Sequence, residues 1–536
     1  MNCTAYKIPY ADTGYFSGIV TDYLSANNAL KEFYGNPATW EGMAAQIKTR
    51  LDFATDRSLL VRGFSQQYET LHHSPAVKKN IQLLAAGTTF TITTAHQPNI
   101  FTGPLYFIYK IFHAIKLAEE SKKRFPQYDF VPVFFMGSED ADLEELGHIY
   151  LDGEKLAWET EQTGAVGRMQ TDAKVAALID RIESQTGVFP YSGEIMSLIK
   201  RFYTPGTDIQ TATLGFVNAL FGQYGLLVMV PDSPVFKAAA TELFKDDLLN
   251  QHAARQVEKT GQALQEKGYK VQAHGREINL FYLKDALRQR IVKKADLWEV
   301  KNTTLSFTRE SLLEEVDQHP ERFSPNVILR GLFQEMLLPN LAYIGGGGEL
   351  AYWLQLKGLF HFYKVPYPLL VLRNSFLIVD RNASETMQKT GVRMERIFQS
   401  LKTLQDQWVK ANAQRTLSVE DQLEIIKAAY TNLNQRAAAI DPTLSGHVET
   451  LKVFASKKIE QLGKKMLRAE KRNHADAMRQ IEKLKNRLFP LNNLQERIDN
   501  IIPYYARWGY KFLEALYQHS LSLEQEYTVL TCEKED

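Results

Sequence analysis

Residues 91–110 read TITTAHQPNIFTGPLYFIYK, and this stretch decides the fold class. Thr89–Thr94 is rich in β-branched and aromatic residues, which predicts a strand. From Leu105 to Ile115 apolar residues recur at intervals of three and four, which predicts a helix. Ligands of open α/β sheets bind beyond the carboxyl ends of strands, so the polar turn between this strand and helix is a candidate binding site.

The flanking sequence extends this unit into an α/β fold with a parallel-sheet core. Phe130–Met136 is apolar throughout, as expected for a strand buried on both faces. A strand–helix–strand unit of this length predicts a parallel pair with a right-handed crossover. Leu341–Ile344 and Leu369–Leu372 are further predicted strands, and a helix over Glu349–Phe360 is predicted between them.

The segments around the core are predicted to be mainly helical. Residues 1–85 carry helical spacing, and Pro234–Gly261 is predicted as one long helix. Residues 276–293 alternate like a β-hairpin. The tail over Leu491–Leu530 is predicted to be helical and to pack on the body of the protein. We interpret residues 150–300 as insertions into the α/β core.

Residues 383–489 have the character of a coiled coil. Pro442 is their only proline, and glycine is nearly absent. Apolar positions in residues 446–489 alternate steps of four and three, with a break near Arg472–His474. As one helix this segment would span about 65 Å. It therefore needs a second subunit, an antiparallel return helix (383–412 or 418–439), or both.

Composition sets limits on the class of protein. The chain has 536 residues and a net charge of +1, which gives no general attraction to nucleic acid or anionic lipid. Its longest apolar runs are far shorter than the roughly 20 residues of a membrane span. No secretory signal is predicted, and the two cysteines, Cys3 and Cys532, form neither a disulfide framework nor a zinc site. These features fit a protein of the reducing cytoplasm.

The turn after the first strand holds the first group of candidate site residues. They are His96, Gln97, Asn99, Thr102 and Gly103. Backbone amides at a helix start suit an anion, and His96 could be a general base or donate to a phosphate. The alternative is that these residues only cap the helix and fix the turn.

Acidic residues follow the second strand, in Gly137–Asp142. Glu139, Asp140 and Asp142 could hold a substrate amine or accept a proton. Helix capping is the alternative. A dedicated metal site is the less favoured interpretation, and none is predicted.

Glycines and arginines complete the candidate site. Gly345, Gly346, Gly347 and Gly348 precede Glu349 between a strand and a helix, where a ligand can approach the backbone closely. The run lacks the lysine of a P-loop, so it indicates a nucleotide only weakly. Arginine suits carboxylate or phosphate, and two arginines lie near predicted strand ends, Arg330 and Arg373. A plain turn and surface salt bridges are the alternatives.

The long helix is basic. Residues 446–489 hold 12 Lys and Arg against 5 Asp and Glu. A nucleic-acid-binding face would be basic in this way, but aromatic residues are not interleaved. We therefore favour a solvated coiled-coil exterior and predict no nucleic-acid partner.

Several segments in this order resemble the BshC family, the cysteine-adding enzymes of bacillithiol biosynthesis. They are HQPNIFTGPLYFIYK (96–110), VFFMGSEDADLEELGHI (133–149), NLFYL with RQRI (279–291), ILRGLFQEMLLPNLAYIGGGGELAYWLQLK (328–357) and LFPLNNLQERIDNIIPYY (488–505). The resemblance covers residues from about 85 to 515. Where the family pattern has Gly-Gln, this chain has Ala95-His96, so the resemblance assigns His96 no obligatory role as a base.

The resemblance implies a Rossmann-like core with connecting-peptide insertions and a coiled-coil arm that forms a homodimer. The resulting domain prediction is a core in two parts (1–150 and 321–382), an insertion (151–320), an arm (383–489) and a C-terminal helical segment on the core (490–536). It also implies a cytoplasmic ligase that joins L-cysteine to glucosaminyl-malate. ATP or another nucleotide is expected, because an amide does not form readily from a free carboxylate.

The resemblance and the residues together suggest roles for the site. One of the three acids would hold or deprotonate the substrate amine, and which one is left open. The glycine run, the turn at His96–Asn99, Arg330 and Arg373 would hold carboxylates or a phosphate. The competing interpretations are another nucleotide-dependent group-transfer enzyme on the same core and a coiled-coil interaction or nucleic-acid-binding protein.

Overall fold

The protein consists of two compact units. The structure, a computed structural model, describes residues 2–413 and 417–533. The first unit comprises the chain up to Leu377 together with Asn493–Leu530. The second comprises Ile378–Asn492 and Thr531–Glu533.

A five-stranded parallel sheet is the centre of the first unit, as predicted. The strands of the protein are β1 Asn2–Pro9, β2 Thr89–His96, β3 Asp129–Met136, β4 His148–Leu151, β5 Glu154–Ala157, β6 Leu227–Met229, β7 Leu280–Lys284, β8 Leu287–Lys294, β9 Leu297–Val300, β10 Ser306–Phe307, β11 Phe323–Pro325, β12 Asn340–Gly345, β13 Leu369–Leu372, β14 Ser375–Asp380 and β15 Glu526–Glu533. The central sheet has the order β13-β12-β2-β3-β6, and each neighbouring pair is parallel. The α/β, Rossmann-like fold class is therefore confirmed.

Strand order places a ligand crevice in this sheet. From β2 the chain adds β3 and β6 on one side, whereas β12 and β13 lie on the other side. The order thus reverses between β2 and β12, and such switch points are where open α/β sheets bind ligands. In register, His96 pairs with Met136, Ile344 with Thr94, and Gly345 with Leu372. The ends of four strands therefore lie at one edge.

Helices cover the sheet and make up most of the first unit. Its α-helices are Tyr10–Thr13, Gly18–Leu24, Trp40–Leu51, Arg57–Tyr68, Pro75–Leu83, Tyr106–Arg124, Leu143–Leu146, Ala173–Thr186, Ser192–Phe202, Ile209–Phe221, Pro234–Lys237, Thr241–Leu249, His252–Glu266, Arg309–Gln318, Val327–Leu337, Gly347–Tyr363, Ile501–Trp508 and Tyr510–His519. On one face of the sheet, Phe90 and Ile344 pack with Ala114 and Leu117 of the Tyr106–Arg124 helix and with Met43. Each fully buried large apolar side chain of this kind contributes about 1.5–3 kcal/mol.

The predicted insertion region supplies a second sheet and one strand of the first. The antiparallel sheet β10-β9-β8-β7-β11 contains the predicted hairpin, in which Phe281 pairs with Arg290. β6 also comes from this region but forms the edge of the central sheet. The remaining sheets are the β4–β5 hairpin and β1-β15-β14.

The second unit is helical, in agreement with the predicted coiled-coil arm. Its helices are Arg381–Thr390, Leu401–Asn412, Glu420–Ile440, Leu444–Asn473 and Ala475–Leu488. The break at His474 lies where the sequence predicted one. Glu420–Ile440 packs against Leu444–Asn473 and is the return helix.

Three sequence predictions differ from the structure. Pro234–Gly261 is not one helix, because Gln251 has a left-handed backbone (φ 58°) and starts a new helix. The C-terminal tail ends in the strand β15 rather than in a helix. Both cysteines are disulfide-bonded, contrary to the prediction from their number and placement.

Among the described residues, we find no helix that is both long enough and apolar enough to span a membrane.

Candidate active site

A cavity of about 810 Å³ opens at the carboxyl edge of the central sheet. Its size is in the usual range for small-molecule sites. Ten of the residues predicted for the site line it: His96, Gln97, Glu139, Asp140, Arg330, Gly346, Gly347, Gly348, Glu349 and Arg373. The three strand-end motifs are thus brought together.

Five other predicted residues do not line the cavity. They are Asn99, Thr102, Gly103, Asp142 and Gly345. Asn99 and Thr102 are buried, and Asn500 donates to the carbonyls of Phe101 (3.0 Å) and Gly103. Asn99, Thr102 and Gly103 therefore belong to a turn that the C-terminal segment holds.

The tight turn between β2 and the next helix has a conformational cost. Phe101 and Thr102 have positive φ angles of 50° and 69°. A Cβ on Gly103 would lie 2.7 Å from the side chain of Asn99, so only glycine fits there. The turn keeps its shape because Asn500 bridges its two ends.

His96 is held on both sides of its ring. Its Nδ1 lies 2.6 Å from Oε1 of Gln97, whose Nε2 donates to Asp140 at 3.3 Å. The amide nitrogen of Gln97 faces Asp140, so the amide oxygen faces His96 and accepts a hydrogen bond from it. The proton of the His96 ring is therefore on Nδ1. Nε2 then accepts from Tyr106 at 3.2 Å. Both ring nitrogens are therefore occupied by protein groups.

Electrostatics keep this histidine neutral. Burial, followed by the charge of Lys110, lowers the pKa of His96 to about 3. Burial raises the pKa of Tyr106 to about 12, so it stays protonated. His96 thus links Tyr106 to Gln97 and Asp140 as a neutral hydrogen-bonding group.

Glu349 fixes the glycine run from within. Its carboxylate accepts from Gly346 N–H at 2.8 Å and Tyr343 hydroxyl at 2.6 Å, and pairs with buried Lys110. Burial alone would raise the pKa of Glu349, but Lys110, Gly346 and Tyr343 together lower it to about 2. A carboxylate of the protein therefore occupies the helix start at which an external anion could bind.

The three predicted acids have different surroundings. Glu139 lines the cavity and pairs with Lys237, which is fully buried. Asp140 accepts from Gln97 and from the amide of Ala141 (2.8 Å). Asp142 lies off the cavity and caps a short helix by accepting from the amide of Glu145 at 3.0 Å. Capping, which the sequence left as an alternative for these acids, is thus the visible role of Asp142.

The insertion region fixes the acidic turn. The amides of Val166 and Gly167 donate to the carbonyls of Asp140 (2.7 Å) and Ser138 (2.9 Å). A Cβ on Gly167 would lie 2.4 Å from the Ser138 carbonyl, so a glycine is needed for this approach. The acidic turn is therefore a rigid part of the cavity wall.

Arginines give the cavity an excess of positive charge. Five of those that line it form no ion pair with another described residue: Arg276, Arg288, Arg290, Arg330 and Arg497. The Arg288 guanidinium lies 3.9 Å from the centre of the Phe281 ring. Arg373 differs from these five, because it pairs with the buried carboxylate of Glu496 at 2.7 Å.

Sequence reasoning missed several residues that line the cavity. They include Tyr106, Lys110, Arg276, Tyr352 and Arg497. Tyr106 and Lys110 lie in the first turns of the helix that follows the His96 turn, a position that could have indicated them. Arg276 and Arg497 come from distant segments and carry no local pattern.

The chain matches two family models of one family. "Bacillithiol biosynthesis BshC, N-terminal Rossmann-like domain" matches residues 1–374. "Bacillithiol biosynthesis BshC, C-terminal coiled-coil domain" matches residues 376–532. The two matches together extend over nearly the whole chain.

Full-length relatives carry the same family name. A protein of Flavobacterium johnsoniae named "Putative cysteine ligase BshC" is 38% identical over 98% of this chain and 99% of the relative. A protein of the same name from Flavobacterium psychrophilum is 37% identical over 98% of both chains. Another from Cytophaga hutchinsonii is 34% identical over 96% of both.

Proposed function

The chain belongs to the bacillithiol biosynthesis BshC family, and from that premise we propose that it is a ligase joining L-cysteine to glucosaminyl-malate. The product would be bacillithiol. The observation that carries this proposal is the charge pattern of the cavity, which places unpaired arginines beside ionisable acids. Glucosaminyl-malate carries two carboxylates and an amine, and therefore has the complementary pattern.

The anionic parts of the substrates are assigned to the arginines. Arg276, Arg288 and Arg290 lie in and beside the β7–β8 hairpin, and Arg330 lies in the Val327–Leu337 helix. A guanidinium binds a carboxylate or a phosphate through two parallel hydrogen bonds. The glycine run supplies close backbone contact rather than an anion site, because Glu349 already occupies the helix start.

Activation of the cysteine carboxylate is needed, and we propose a nucleoside triphosphate as the substrate that supplies it. The unpaired arginines fit its phosphates, and the cavity volume of about 810 Å³ leaves room beside an amino acid and a small glycoside. A carboxylate oxygen attacks the terminal phosphorus and releases the nucleoside diphosphate, or attacks the α-phosphorus and releases pyrophosphate. Either transfer makes the carbonyl carbon open to attack by the amine. The new C–N bond then forms as the activated oxygen leaves with its phosphorus group. Because nucleoside triphosphates are held in the cytoplasm, we propose that compartment for the reaction.

The acids act on the amine. It must be neutral to attack, and it must release a proton as the amide forms. We assign Glu139 to holding the amine, because Lys237 fixes this carboxylate at the cavity wall. Asp140 is assigned as proton acceptor, because it lines the same wall and has no lysine or arginine partner among the described residues. A positioned base of this kind contributes about 10²- to 10⁴-fold in rate.

We also propose that the second unit forms a homodimer. None of the described residues in Glu420–Ile440 and Leu444–Asn473 is fully buried. Large apolar side chains are exposed on both helices, including Ile425, Ile440 and Phe454. Several large apolar side chains exposed on one helical pair are expected at an interface with another chain. Light scattering of the purified protein should give twice the chain mass, and a chain mass at micromolar concentration would contradict the dimer.

The ligase proposal is tested with purified protein, L-cysteine, glucosaminyl-malate and each nucleoside triphosphate in turn. Liquid chromatography with mass spectrometry should find a thiol with the mass of the two substrates minus water. Asp140→Asn should form the product at least about 10²-fold more slowly, whereas the matched control Asp296→Asn, at an exposed turn between β8 and β9, should not change the rate. Label from the nucleotide on a different acceptor, without the cysteine product, would favour another group-transfer enzyme.

A further inference from the structure

Lys237 is a buried charge directly behind the cavity wall. It is the last residue of the short helix Pro234–Lys237, which follows β6, and its side chain is 0% exposed. It does not line the cavity itself. A lysine ammonium in such a place costs several kcal/mol in lost hydration unless it is paired.

Only two oxygen acceptors compensate that cost among the described residues. Lys237 pairs with the Glu139 carboxylate and donates to the carbonyl of Phe323 at 2.6 Å. The rings of Phe244 and Phe333 lie on its other sides, each 5.8 Å from Nζ to the ring centre. Lys237 is thus confined to one position, and its contact with Glu139 is confined with it.

A pair of this kind does little for stability. Two buried ions lose as much hydration free energy as their attraction returns, or more. Its effect is instead to fix a carboxylate at the cavity surface. Glu139 has four lone-pair positions on its two oxygens, and Lys237 contacts Oε1, so the carboxylate keeps acceptor capacity for a group in the cavity.

Four charged groups from different elements face Glu139. They are Lys237, Asp232 after β6, Arg288 on β8 and Arg168, which pairs with Asp232 at 2.7 Å. Burial raises the pKa of Glu139, Lys237 opposes this most strongly, and Asp232 adds to the increase. Because Arg168 compensates Asp232, Lys237 is the group that compensates Glu139.

We propose that Lys237 is a positioning residue, which holds the Glu139 carboxylate ionised and oriented so that it can bind the amine of the acceptor substrate. The inference rests on the proposed function and deepens it. Lys237 does not touch the substrate, and it acts only through Glu139.

The test is the affinity of glucosaminyl-malate, measured by calorimetry without nucleotide between pH 6 and 8. The proteins are wild type, Lys237→Met, Lys237→Arg, Glu139→Gln and the double variant Lys237→Met/Glu139→Gln. The double variant leaves neither charge unpaired, so it should fold even if Lys237→Met is unstable. Circular dichroism and thermal melting verify folding. Because the amine of the ligand titrates equally in every experiment, affinities are compared as ratios to wild type.

We expect Lys237→Met to bind glucosaminyl-malate roughly tenfold or more weakly than wild type at pH 6. The loss should become smaller as the pH rises and Glu139 ionises without Lys237, and the part that remains reflects the lost orientation of the carboxylate. Glu139→Gln should bind weakly with a ratio that does not depend on pH. The double variant should lose no more affinity for glucosaminyl-malate than Glu139→Gln alone. Lys237→Arg should bind with most of the affinity of wild type.

A pH-independent ratio for Lys237→Met, or a double variant whose loss is the product of the two single losses, would overturn the role of Lys237. If wild type itself does not bind glucosaminyl-malate, it is the proposed function that fails. The two failures are therefore distinguishable.

Discussion

Replacing Glu349 by glutamine should release the glycine turn at the edge of the cavity. The carboxylate now binds Gly346 N–H, the Tyr343 hydroxyl and the ammonium of Lys110. Glutamine keeps the shape but has one acceptor oxygen and an NH₂ group that faces donors. It also leaves Lys110 without its counter-ion. Lys110 is 3% exposed, and its other acceptor is the carbonyl of Ala95 at 2.7 Å.

The size of the effect follows from the pKa of Glu349, which is about 2 against an ordinary 4.5. This difference is equivalent to about 3 kcal/mol in favour of the folded, ionised form. Since 24% of the Glu349 side chain is exposed, solvent screens part of it, and we expect about 2–3 kcal/mol. Because the pKa is lower in the folded state, this stability is present above pH 4.5 and is lost as the pH falls towards 2.

Hydrogen exchange measured by mass spectrometry is the appropriate assay, because it reports the local stability of one helix within a chain of two compact units. Amides in the first turns of the Gly347–Tyr363 helix should exchange roughly 30- to 150-fold faster in Glu349→Gln at pH 7. The ratio should decrease by pH 3. As a control, Glu120→Gln removes the exposed pair with Lys123 (2.9 Å) and should change exchange little. Equal exchange in wild type and Glu349→Gln at pH 7 would mean that Glu349 does not stabilise this helix start.

Four further predictions follow from the same structure. His96→Gln should keep activity within about tenfold and should leave the shape of the pH–activity profile between pH 5 and 8 unchanged, because both ring nitrogens serve as hydrogen-bonding groups and the pKa of His96 is about 3; a 10³-fold loss would indicate a base. Asp140→Asn should lower kcat by at least about 10²-fold with little change in melting temperature, and an equal loss of stability would mean a structural role. Burial lowers the pKa of Lys485 to about 7, so the folded second unit loses stability as pH falls from 10.5 to 7. Lys485→Met should therefore raise the urea midpoint at pH 7 but not at pH 10, and an unchanged midpoint at pH 7 would mean that Lys485 does not destabilise the fold. Phe454→Glu should convert the proposed dimer to a monomer in light scattering while leaving the far-ultraviolet circular dichroism unchanged, and an unchanged mass would exclude this face.

Local sequence patterns were enough to predict four of the five strands of the central sheet, whereas β6 was assigned to the insertion region. β-branched and apolar runs define β2, β3, β12 and β13, and these strands are parallel neighbours. Polar residues follow three of these strands, and ligands bind at the carboxyl ends of parallel strands. This rule was enough to predict that most of the candidate site residues lie together. Such patterns are visible because each strand and turn is encoded within about ten residues.

Long-range pairing was not visible in the sequence. Lys237 and Glu139 are 98 positions apart, and Arg373 and Glu496 are 123 apart. Only the fold shows that Glu139 has a counter-ion and that Arg373 is already paired. The same holds for Arg276, whose place in the cavity depends on how the insertion packs on the core.

Some local predictions failed for identifiable reasons. The apolar spacing around Gln251 is uniformly helical, and no glycine or proline marks the left-handed backbone at this position. Nothing in the local sequence therefore indicates that one helix ends and another begins here. β15 forms at the C-terminal end because it pairs within the β1-β15-β14 sheet, and such a pairing outweighs local helical preference.

Ligation with L-cysteine labelled with ¹⁸O in both carboxyl oxygens detects activation of the carboxylate and formation of the amide in one experiment. The purified protein is incubated with this cysteine, glucosaminyl-malate and a nucleoside triphosphate, and all products are analysed by mass spectrometry. We predict bacillithiol that keeps one ¹⁸O atom in its new amide carbonyl, together with one ¹⁸O atom in the phosphate or nucleoside monophosphate that is released. Folded protein that binds both substrates, yet forms no such amide with any nucleoside triphosphate, would contradict the account.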